Sequence, residues 1–391
     1  MSYIRFFDPP FKRSYFLFGP RGTGKSSFID GRYQNNVLKI DLLKDRDFRK
    51  FSSDPDYLLE ILDANPDIEQ VIIDEVQKSP SLLSTIHHAM EQKKWKQIQF
   101  ILTGSSSRKL KSKGVDLLAG RALIKNLHPF MAAELGSDFS LSKALESGML
   151  PIVWSSQNPN ETLESYIGVY LREEVKQEAL VRDLAAFSRF LEAMSFSHAQ
   201  VLNLSNVTSD CGVKRPTATG YLEILEDLLL GMQISPFKKS NRKEVIEHGK
   251  FYYFDVGVFR SLRPAGPLDE PEKIAGAALE GFVLQHLKAW TAYREEGDSI
   301  YFWRTRACNE VDFIIYGKSE FYAIEVKGSS KIRTGDLSGL NSFGEDYPQA
   351  KRVCLYLGKD RFLKNGILCY NLEEFITRLK PTLSLCDVLR F

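Results

Sequence analysis

The chain has 391 residues, of which 43% are hydrophobic and 26% charged, and its formal net charge is +2. This composition is that of an ordinary globular protein, and the length is sufficient for two or three domains. The near-neutral charge excludes a strong overall field that would attract nucleic acid, so such contacts must come from local basic patches.

The first third of the chain alternates short apolar runs with helical patterns. The runs that we predict as strands are 15–18, 37–42, 71–73, 98–102 and 122–127. Because helical patterns fill the gaps, the strands are expected to be parallel and covered on both faces. The sequence therefore predicts an α/β fold built on a parallel sheet.

A glycine-rich turn follows the first strand and matches the pattern G-x-x-x-x-G-K-[ST]. The run is Gly19, Pro20, Arg21, Gly22, Thr23, Gly24, Lys25 and Ser26, followed by Ser27. Glycines allow backbone N–H groups to surround phosphates, and the following helix adds the positive end of its dipole. Lys25 is expected to reach the β- and γ-phosphates, and Ser26 to coordinate Mg²⁺. The pattern predicts a binding site for the phosphates of ATP or GTP.

Two adjacent acids come directly after the strand at 71–73. Asp74 is expected to hold the Mg²⁺ through water, and Glu75 to orient or deprotonate the attacking water. The alternative is a pair of acids that merely caps a buried strand. Because a water-activating group is included, the pair favours hydrolysis over binding alone.

Two further positions are candidates for the same reaction. Thr103 or Ser105, after the strand at 98–102, is expected to contact the γ-phosphate or the attacking water, unless this is a plain polar loop. Arg121 is the candidate for a transition-state arginine that acts on a neighbouring subunit's nucleotide, with Arg108 as its rival. A surface arginine is the alternative. Action in trans implies a homo-oligomer, of which a ring is one form.

From about residue 141 the pattern changes to helices without intervening strands. Helical patterns at 201–211 and 217–230 precede a β-ribbon around a polar turn at 238–250, which is the order of a winged helix. Basic residues lie before the second helix and in the turn: Lys214, Arg215, Lys238, Lys239, Arg242 and Lys243. They can contact the phosphates of nucleic acid, with DNA expected rather than RNA, or form a solvated turn.

A third region follows the proline- and glycine-rich linker at 263–267. Asp312 opens one predicted strand and Glu325 lies on the next, so the two carboxylates can converge on one divalent cation. Lys327 is on the same face as Glu325 and can activate water, while Glu280 on the preceding helix can add a carboxylate. These residues predict Mg²⁺- or Mn²⁺-dependent phosphodiester hydrolysis. The alternative is an acid–lysine pair on a solvated strand edge.

Several segments together resemble the AAA+-type prokaryotic ATPases that carry a C-terminal DUF4143 domain. They are 19–26, 72–80, 102–106, 118–121 and 127–130. The resemblance spans nearly the whole chain. It implies an ASCE-type P-loop ATPase, a winged-helix middle, and a C-terminal domain similar to PD-(D/E)xK nucleases. The expected domains are residues 1–140, 141–262 and 263–391.

We therefore expect an ATP-hydrolysing AAA+-type protein that acts on nucleic acid and has a metal-dependent nuclease-like domain. The alternative is a regulatory ATPase switch whose winged-helix and inactive nuclease-like domains bind partners. A small-molecule kinase is disfavoured, because nothing resembles an acceptor-substrate lid. Five scattered cysteines argue against disulfides or zinc, and no apolar stretch is long enough to span a membrane. Both features favour a cytoplasmic protein without a membrane partner.

Overall fold

The protein is described here by a computed structural model. The described residues are 3–106, 118–171, 183–238, 248–267 and 269–390. The chain divides into two compact units. The N-terminal unit consists of Phe7–His128 and Asp227–Leu229. The C-terminal unit consists of Met1–Phe6, Pro129–Glu226 and Leu230–Phe391.

The parallel sheet predicted for the N-terminal unit is confirmed. Its strands are β1 (Tyr15–Phe18), β2 (Val37–Asp41), β3 (Gln70–Asp74), β4 (Gln99–Gly104) and β5 (Leu123–Asn126). They are all parallel, in the order β2-β3-β4-β1-β5. Every residue of β1 and β4 is buried, as expected for strands with both faces covered. Since β1, β3 and β4 are neighbours, the polar residues at their carboxyl ends meet at one edge of the sheet.

Helices lie between these strands as the sequence patterns indicate. They are α1 (Lys25–Arg32), α2 (Asp45–Ser53), α3 (Tyr57–Ala64) and α4 (Leu82–Glu91), with 3₁₀ turns at Val76–Lys78, Lys93–Trp95 and Leu118–Gly120. The apolar core contains side chains from the sheet and from these helices, among them Phe16, Ile73, Leu83 and Leu102.

The C-terminal unit contains the second sheet. Its strands are β6 (Gln200–Val201), β7 (Gly231–Pro236), β8 (Lys250–Tyr253), β9 (Ser299–Arg304), β10 (Glu310–Tyr316), β11 (Phe321–Lys327), β12 (Lys351–Tyr356), β13 (Phe362–Lys364) and β14 (Ile367–Asn371). Their order is β13-β14-β12-β11-β10-β9-β7-β8-β6. Strands β9, β10 and β11 are antiparallel neighbours, whereas β11, β12 and β14 are parallel. The sheet is therefore mixed.

The helices that follow the first sheet belong largely to this unit. They are α5 (Ala132–Leu135), α6 (Leu141–Ser147), α7 (Pro151–Trp154), α8 (Pro159–Ser165), a π-helical turn (Tyr166–Leu171), α9 (Leu184–Ser195), α10 (Leu204–Cys211), α11 (Arg215–Asp227), α12 (Val256–Leu262), α13 (Pro271–Arg294), α14 (Ser338–Asp346), α15 (Leu372–Arg378) and α16 (Leu385–Leu389), with 3₁₀ turns at Gly136–Asp138 and Gly335–Leu337. No helix in the described ranges is both long enough and apolar enough to cross a membrane.

The predicted order of helix, helix and ribbon is present in α10, α11, β7 and β8. The ribbon has a second partner that the sequence did not indicate, because β7 also pairs in parallel with β9 through Ser235 and Tyr301. Phe237, directly after β7, packs against Tyr301 of β9 and Phe343 of α14. The boundary expected between 262 and 263 stays a prediction, and strands from both sides of it form one sheet.

Helix α13 positions one acid against this sheet. Proline at its first position and Glu272 in its first turn suit a helix start. The helix ends at Arg294, and the next residue, Glu295, has a left-handed conformation. Most residues from Ala278 to Trp290 are buried. Glu280 lies within this apolar stretch, and its side chain is 15% exposed. A carboxylate at such a position needs a partner.

Candidate functional sites

The turn between β1 and α1 holds the predicted phosphate-binding lysine against backbone carbonyls. Gly24 has a φ of 86°, which glycine adopts without steric cost. A Cβ at Gly19 would lie 2.5 Å from the carbonyl oxygen of Leu127. The Nζ of Lys25 donates to the carbonyls of Gly19 at 2.6 Å and Pro20 at 3.3 Å. Phosphate oxygens would form stronger, charge-assisted bonds with this ammonium group than neutral carbonyls do.

A hydroxyl and a carboxylate lie side by side next to this turn. Ser26 Oγ donates to Asp74 Oδ2 at 2.9 Å. The hydroxyl of Thr103 donates to the other oxygen of Asp74 and accepts from the backbone N–H of Glu75 at 3.2 Å. Hydroxyl and carboxylate oxygens are what Mg²⁺ takes from a P-loop protein. Ser26 and Asp74 therefore fit the metal that this fold implies.

Glu75 is held by a glutamine that was not among the residues predicted from the sequence. Its φ is 59°, a left-handed conformation that is uncommon outside glycine. Gln77 Nε2 donates to Glu75 Oε2 at 2.5 Å and to Ser105 Oγ at 3.3 Å. A Cβ at Gly104 would lie 2.5 Å from Gln77 Oε1, so glycine makes room for the amide. Gln77 thus links the predicted water-activating acid to the end of β4.

The other predicted residues of this site differ in exposure. Arg21, Ser26 and Ser27 are exposed, whereas Thr23 is buried and donates to the carbonyl of Pro20 at 2.8 Å. Arg121 donates to Glu91 at 2.8 Å, and its side chain is 39% exposed. Exposed ion pairs of this kind contribute little to stability. The role of Arg121 in trans stays a prediction, and Arg108 lies outside the described residues.

In the C-terminal unit, α13, β10 and β11 bring the four predicted nuclease residues into one cluster. Glu325 Oε1 accepts from Lys327 Nζ at 2.6 Å, and Asp312 Oδ2 accepts from the backbone N–H of Val326 at 2.9 Å. Burial, together with the charge of Asp312, raises the pKa of Glu325 well above its usual range. Although burial opposes it, the Glu325 carboxylate raises the pKa of Lys327. The catalytic and metal-binding roles of these residues stay predictions.

A second lysine, which the sequence did not predict, lies in this cluster. Lys250, the first residue of β8, is only 2% exposed. Its Nζ lies 2.7 Å from Glu280 Oε1, 2.6 Å from Glu310 Oε1 and 3.5 Å from Asp312 Oδ1. Burial disfavours its charge, but the carboxylates, Glu280 first, raise its pKa well above the usual range. Three carboxylates thus match the three donors of one ammonium group.

Two more side chains contact these acids. The hydroxyl of Tyr252 donates to Glu280 Oε1 at 2.5 Å, and Arg304 lies 3.5 Å from Glu310 Oε2. The sequence offers one signal for these residues: Lys250 and Tyr252 are two positions apart on a strand, so their side chains lie on the same face of the sheet. This alternation does not indicate which acids contact that face.

This arrangement does not fit a divalent cation. Both oxygens of Asp312 are engaged, one by Lys250 and one by the Val326 amide, and Glu325 Oε1 is engaged by Lys327. Mg²⁺ requires near-octahedral oxygen ligands at about 2.0–2.1 Å. In the part of the chain that the structure describes, no three or more His, Cys, Asp and Glu side chains are grouped so as to hold a metal ion.

Comparison with known families agrees with the resemblance deduced from the motifs. Residues 12–136 match the AAA domain family, and residues 275–375 match a domain of unknown function, DUF4143. The chain carries an AAA domain and a C-terminal DUF4143 domain. The residues between them, 138–269, match a second domain of unknown function, DUF8612. The phosphate-binding turn, Asp74 and Glu75 lie in the AAA domain, whereas Lys250 lies in the DUF8612 match and its three carboxylates in the DUF4143 domain.

Relatives in sequence include two mycobacterial proteins. Uncharacterized protein Rv2008c of Mycobacterium tuberculosis and uncharacterized protein Mb2031c of Mycobacterium bovis are each 25% identical over 314 residues, which is 78% of this chain and 69% of theirs. Similar solved structures include the Thermotoga maritima RuvB Holliday junction branch migration motor, at 17% identity and a TM-score of 0.29 over 56% of this chain and 82% of that one. Another is the replication initiator DnaA bound to AMPPCP and single-stranded DNA, at 12% identity and a TM-score of 0.27 over 55% of this chain and 82% of that one.

The basic residues predicted to contact nucleic acid are described only in part. Lys214 and Arg215 are exposed at the start of α11, and Lys238 is exposed after β7. Lys239, Arg242 and Lys243 lie outside the described residues. The exposed positions leave the cations accessible to a polyanion, and their role stays a prediction.

Proposed function

We propose that this protein binds ATP together with Mg²⁺ at the β1–α1 turn of its AAA domain and hydrolyses it. The observation that carries the proposal is the contact between Ser26 and Asp74 beside Lys25. Ser26 and Asp74 would be two Mg²⁺ ligands next to the cation that would hold the phosphates. The family match of residues 12–136 supports the same conclusion.

The residues around this contact have separable tasks. Lys25 exchanges its carbonyl partners for phosphate oxygens, and the first N–H groups of α1 face the same phosphates. Bound Mg²⁺ would neutralise charge on the phosphate oxygens. Glu75 orients the attacking water and accepts its proton. Thr103 fixes Asp74 and the backbone of Glu75, and Gln77 fixes the Glu75 carboxylate.

Two substitutions test the proposal by separating binding from hydrolysis. Lys25→Ala removes charge-assisted bonds and should weaken ATP binding by about 2–3 kcal/mol, or roughly 30- to 150-fold in Kd. Glu75→Gln should retain ATP but hydrolyse it roughly 10²- to 10⁴-fold more slowly. Binding is measured by calorimetry and turnover by phosphate release.

The matched controls are Lys44→Ala and Glu60→Gln, which change exposed residues of the same domain. Both should behave as wild type. Wild-type turnover by Glu75→Gln, or wild-type affinity of Lys25→Ala for ATP, would contradict the proposal.

We also propose that the ATPase acts on nucleic acid, in a homo-oligomer. The support is the exposure of Lys214 and Arg215 at a helix start and of Lys238 at the end of β7. Replacing Lys214 and Arg215 by Gln should weaken binding of duplex DNA and reduce its salt dependence, measured by fluorescence anisotropy. Arg46→Gln/Arg49→Gln, which removes equal charge from exposed positions on α2, is the control. Equal affinity of the two double variants for DNA would contradict this proposal.

The proposal does not include DNA cleavage by the DUF4143 domain. Its four predicted residues lie together, but the engaged oxygens of Asp312 support the alternative in which this domain binds partners. Strand cleavage in Mg²⁺ or Mn²⁺ that Asp312→Ala abolishes would restore the nuclease hypothesis.

A further inference from the structure

We infer that Lys250 is a built-in counter-ion that takes the place of a divalent metal ion in the carboxylate cluster of the DUF4143 domain. The inference is independent of the proposed ATPase, because no residue of the AAA domain takes part. It deepens the proposal that this domain binds partners and does not cut.

The charges of the cluster are already nearly balanced by the protein. Its acids are Glu280, Glu310, Asp312 and Glu325, and its cations are Lys250, Lys327 and Arg304. Removing buried carboxylates from water is costly unless a cation and hydrogen bonds compensate them. A divalent ion added to these groups would reverse the sign of the buried charge. Each of the four acids has a cation of the protein within 3.5 Å, and Glu325 Oε2 is the buried carboxylate oxygen of the set that accepts no hydrogen bond from the described residues.

Distances lead to the same conclusion. The separations of 2.7 Å and 2.6 Å from Lys250 Nζ to Glu280 and Glu310 are those of ammonium–carboxylate hydrogen bonds. The same oxygens cannot approach a Mg²⁺ ion at about 2.0–2.1 Å while the ammonium group stands between them. The hydroxyl of Tyr252 also points its proton at Glu280 Oε1, where a metal would need a lone pair.

The fold fixes the lysine in this position. Lys250 pairs with Ile234 of β7 on one side and with Val201 of β6 on the other. Strand β7 is in turn bound to β9, the neighbour of the acid-bearing β10. The backbone of Lys250 is therefore held between two strands of the sheet that carries Glu310 and Asp312.

Binding of Mn²⁺ to the full-length chain without nucleotide tests the inference, with free Mn²⁺ measured by electron paramagnetic resonance. Wild type and Asp312→Asn should bind Mn²⁺ equally weakly. Lys250→Met should gain a site that binds about tenfold more tightly or better, and Lys250→Met/Asp312→Asn should lose it. Lys250→Arg keeps the positive charge in the cluster and should bind Mn²⁺ as weakly as wild type. Lys318→Met, an exposed lysine in the β10–β11 turn, is the matched control.

Two results would overturn the inference. One is a site in wild type that Asp312→Asn removes, which would mean that the lysine yields to a metal. The other is a folded Lys250→Met variant that gains no Mn²⁺ binding. If Lys250→Met does not fold, the comparison of wild type with Asp312→Asn decides by itself. ATP hydrolysis by wild type is measured separately, so a failure of the ATPase proposal is distinguishable.

Discussion

Two buried lysines, Lys25 of the AAA domain and Lys250 of the carboxylate cluster, differ in the charge of their partners. Both are buried, with 8% of Lys25 and 2% of Lys250 exposed. Lys25 contacts neutral backbone carbonyls, whereas Lys250 lies among three carboxylates. The carbonyls that Lys25 contacts are neutral, whereas the carboxylates around Lys250 neutralise its charge within the fold. The lysine proposed to bind phosphate and the lysine proposed as a counter-ion are alike in burial and residue type, and they differ in the charge of their partners.

The aspartates of the two regions also differ in the groups that contact them. Asp74 accepts from the hydroxyls of Ser26 and Thr103, which are weak partners that can rearrange around a cation. Asp312 faces an ammonium group and a backbone amide. The acid proposed to bind Mg²⁺ is contacted by neutral hydroxyls, whereas the charge of Asp312 is compensated by the protein.

The largest expected effect is on stability and tests this comparison directly. Lys250→Met leaves buried carboxylates without their cation and should lower the free energy of unfolding by about 3–5 kcal/mol. Lys25→Met removes an ammonium group that donates to two neutral backbone carbonyls and should change it by about 1 kcal/mol or less. Urea denaturation followed by fluorescence and circular dichroism measures both. Equal destabilisation by the two variants would contradict the difference that we draw between Lys25 and Lys250.

A smaller effect is expected in the pH dependence of stability. Burial and the charge of Asp312 raise the pKa of Glu280 from 4.5 to about 7. A raised pKa means that the protonated form favours the fold. The contribution of Glu280 to the free energy of unfolding is therefore fully present below pH 4.5 and is lost as pH rises through 7.

Glu280→Gln should remove this loss, which is at most about 1.4 kcal/mol per pH unit between those values. The measurement is the difference in unfolding free energy between variant and wild type from pH 4.5 to 7.5. Burial lowers the pKa of His198 to about 3 and of His286 to about 4, and their stabilisation is lost in the opposite direction, as pH falls below 6.5. Both histidines are present in wild type and in Glu280→Gln, so their contributions cancel when one unfolding free energy is subtracted from the other. Parallel profiles would show that Glu280 does not titrate in this range.

The smallest expected effect concerns the turnover of ATP by the AAA domain. Gln77→Leu removes the amide that links Glu75 to Ser105 and should lower the turnover of ATP by about tenfold. The Kd for ATP should stay unchanged, since Gln77 contacts the water-activating acid and not the phosphate-binding turn. Gln97→Leu, at an exposed position of the same domain, is the control. A rise in Kd with unchanged turnover would assign Gln77 to binding.

Local patterns predicted the AAA site because its chemistry is encoded in short segments. The strand, glycine turn and helix around Lys25 have fixed spacing, and Asp74 and Glu75 come directly after an apolar strand. The parallel sheet then follows from the alternation of strands and helices. Gln77 was not predicted because its contact with Glu75 depends on the space left by Gly104 in another strand.

The cluster in the DUF4143 domain shows why the rest could not be predicted. The four-residue pattern of Glu280, Asp312, Glu325 and Lys327 was visible, but the partner of its acids lies on β8, 60 residues before Glu310. Strand pairing between β7 and β9 has no local sequence signature, because it depends on tertiary packing. A short motif identifies residues of a site, but it does not identify counter-ions that lie on a distant strand.

The continuity of β7, β8 and β9 has a consequence for how these regions are inherited. The DUF8612 match ends at residue 269 and the DUF4143 match begins at 275. A recombination event that joined another segment at this point would separate the acids on α13 and β10 from Lys250. It would also leave the β9 edge open to pairing with other chains. Exchange of either region alone is therefore expected to leave the carboxylates of the cluster without their lysine.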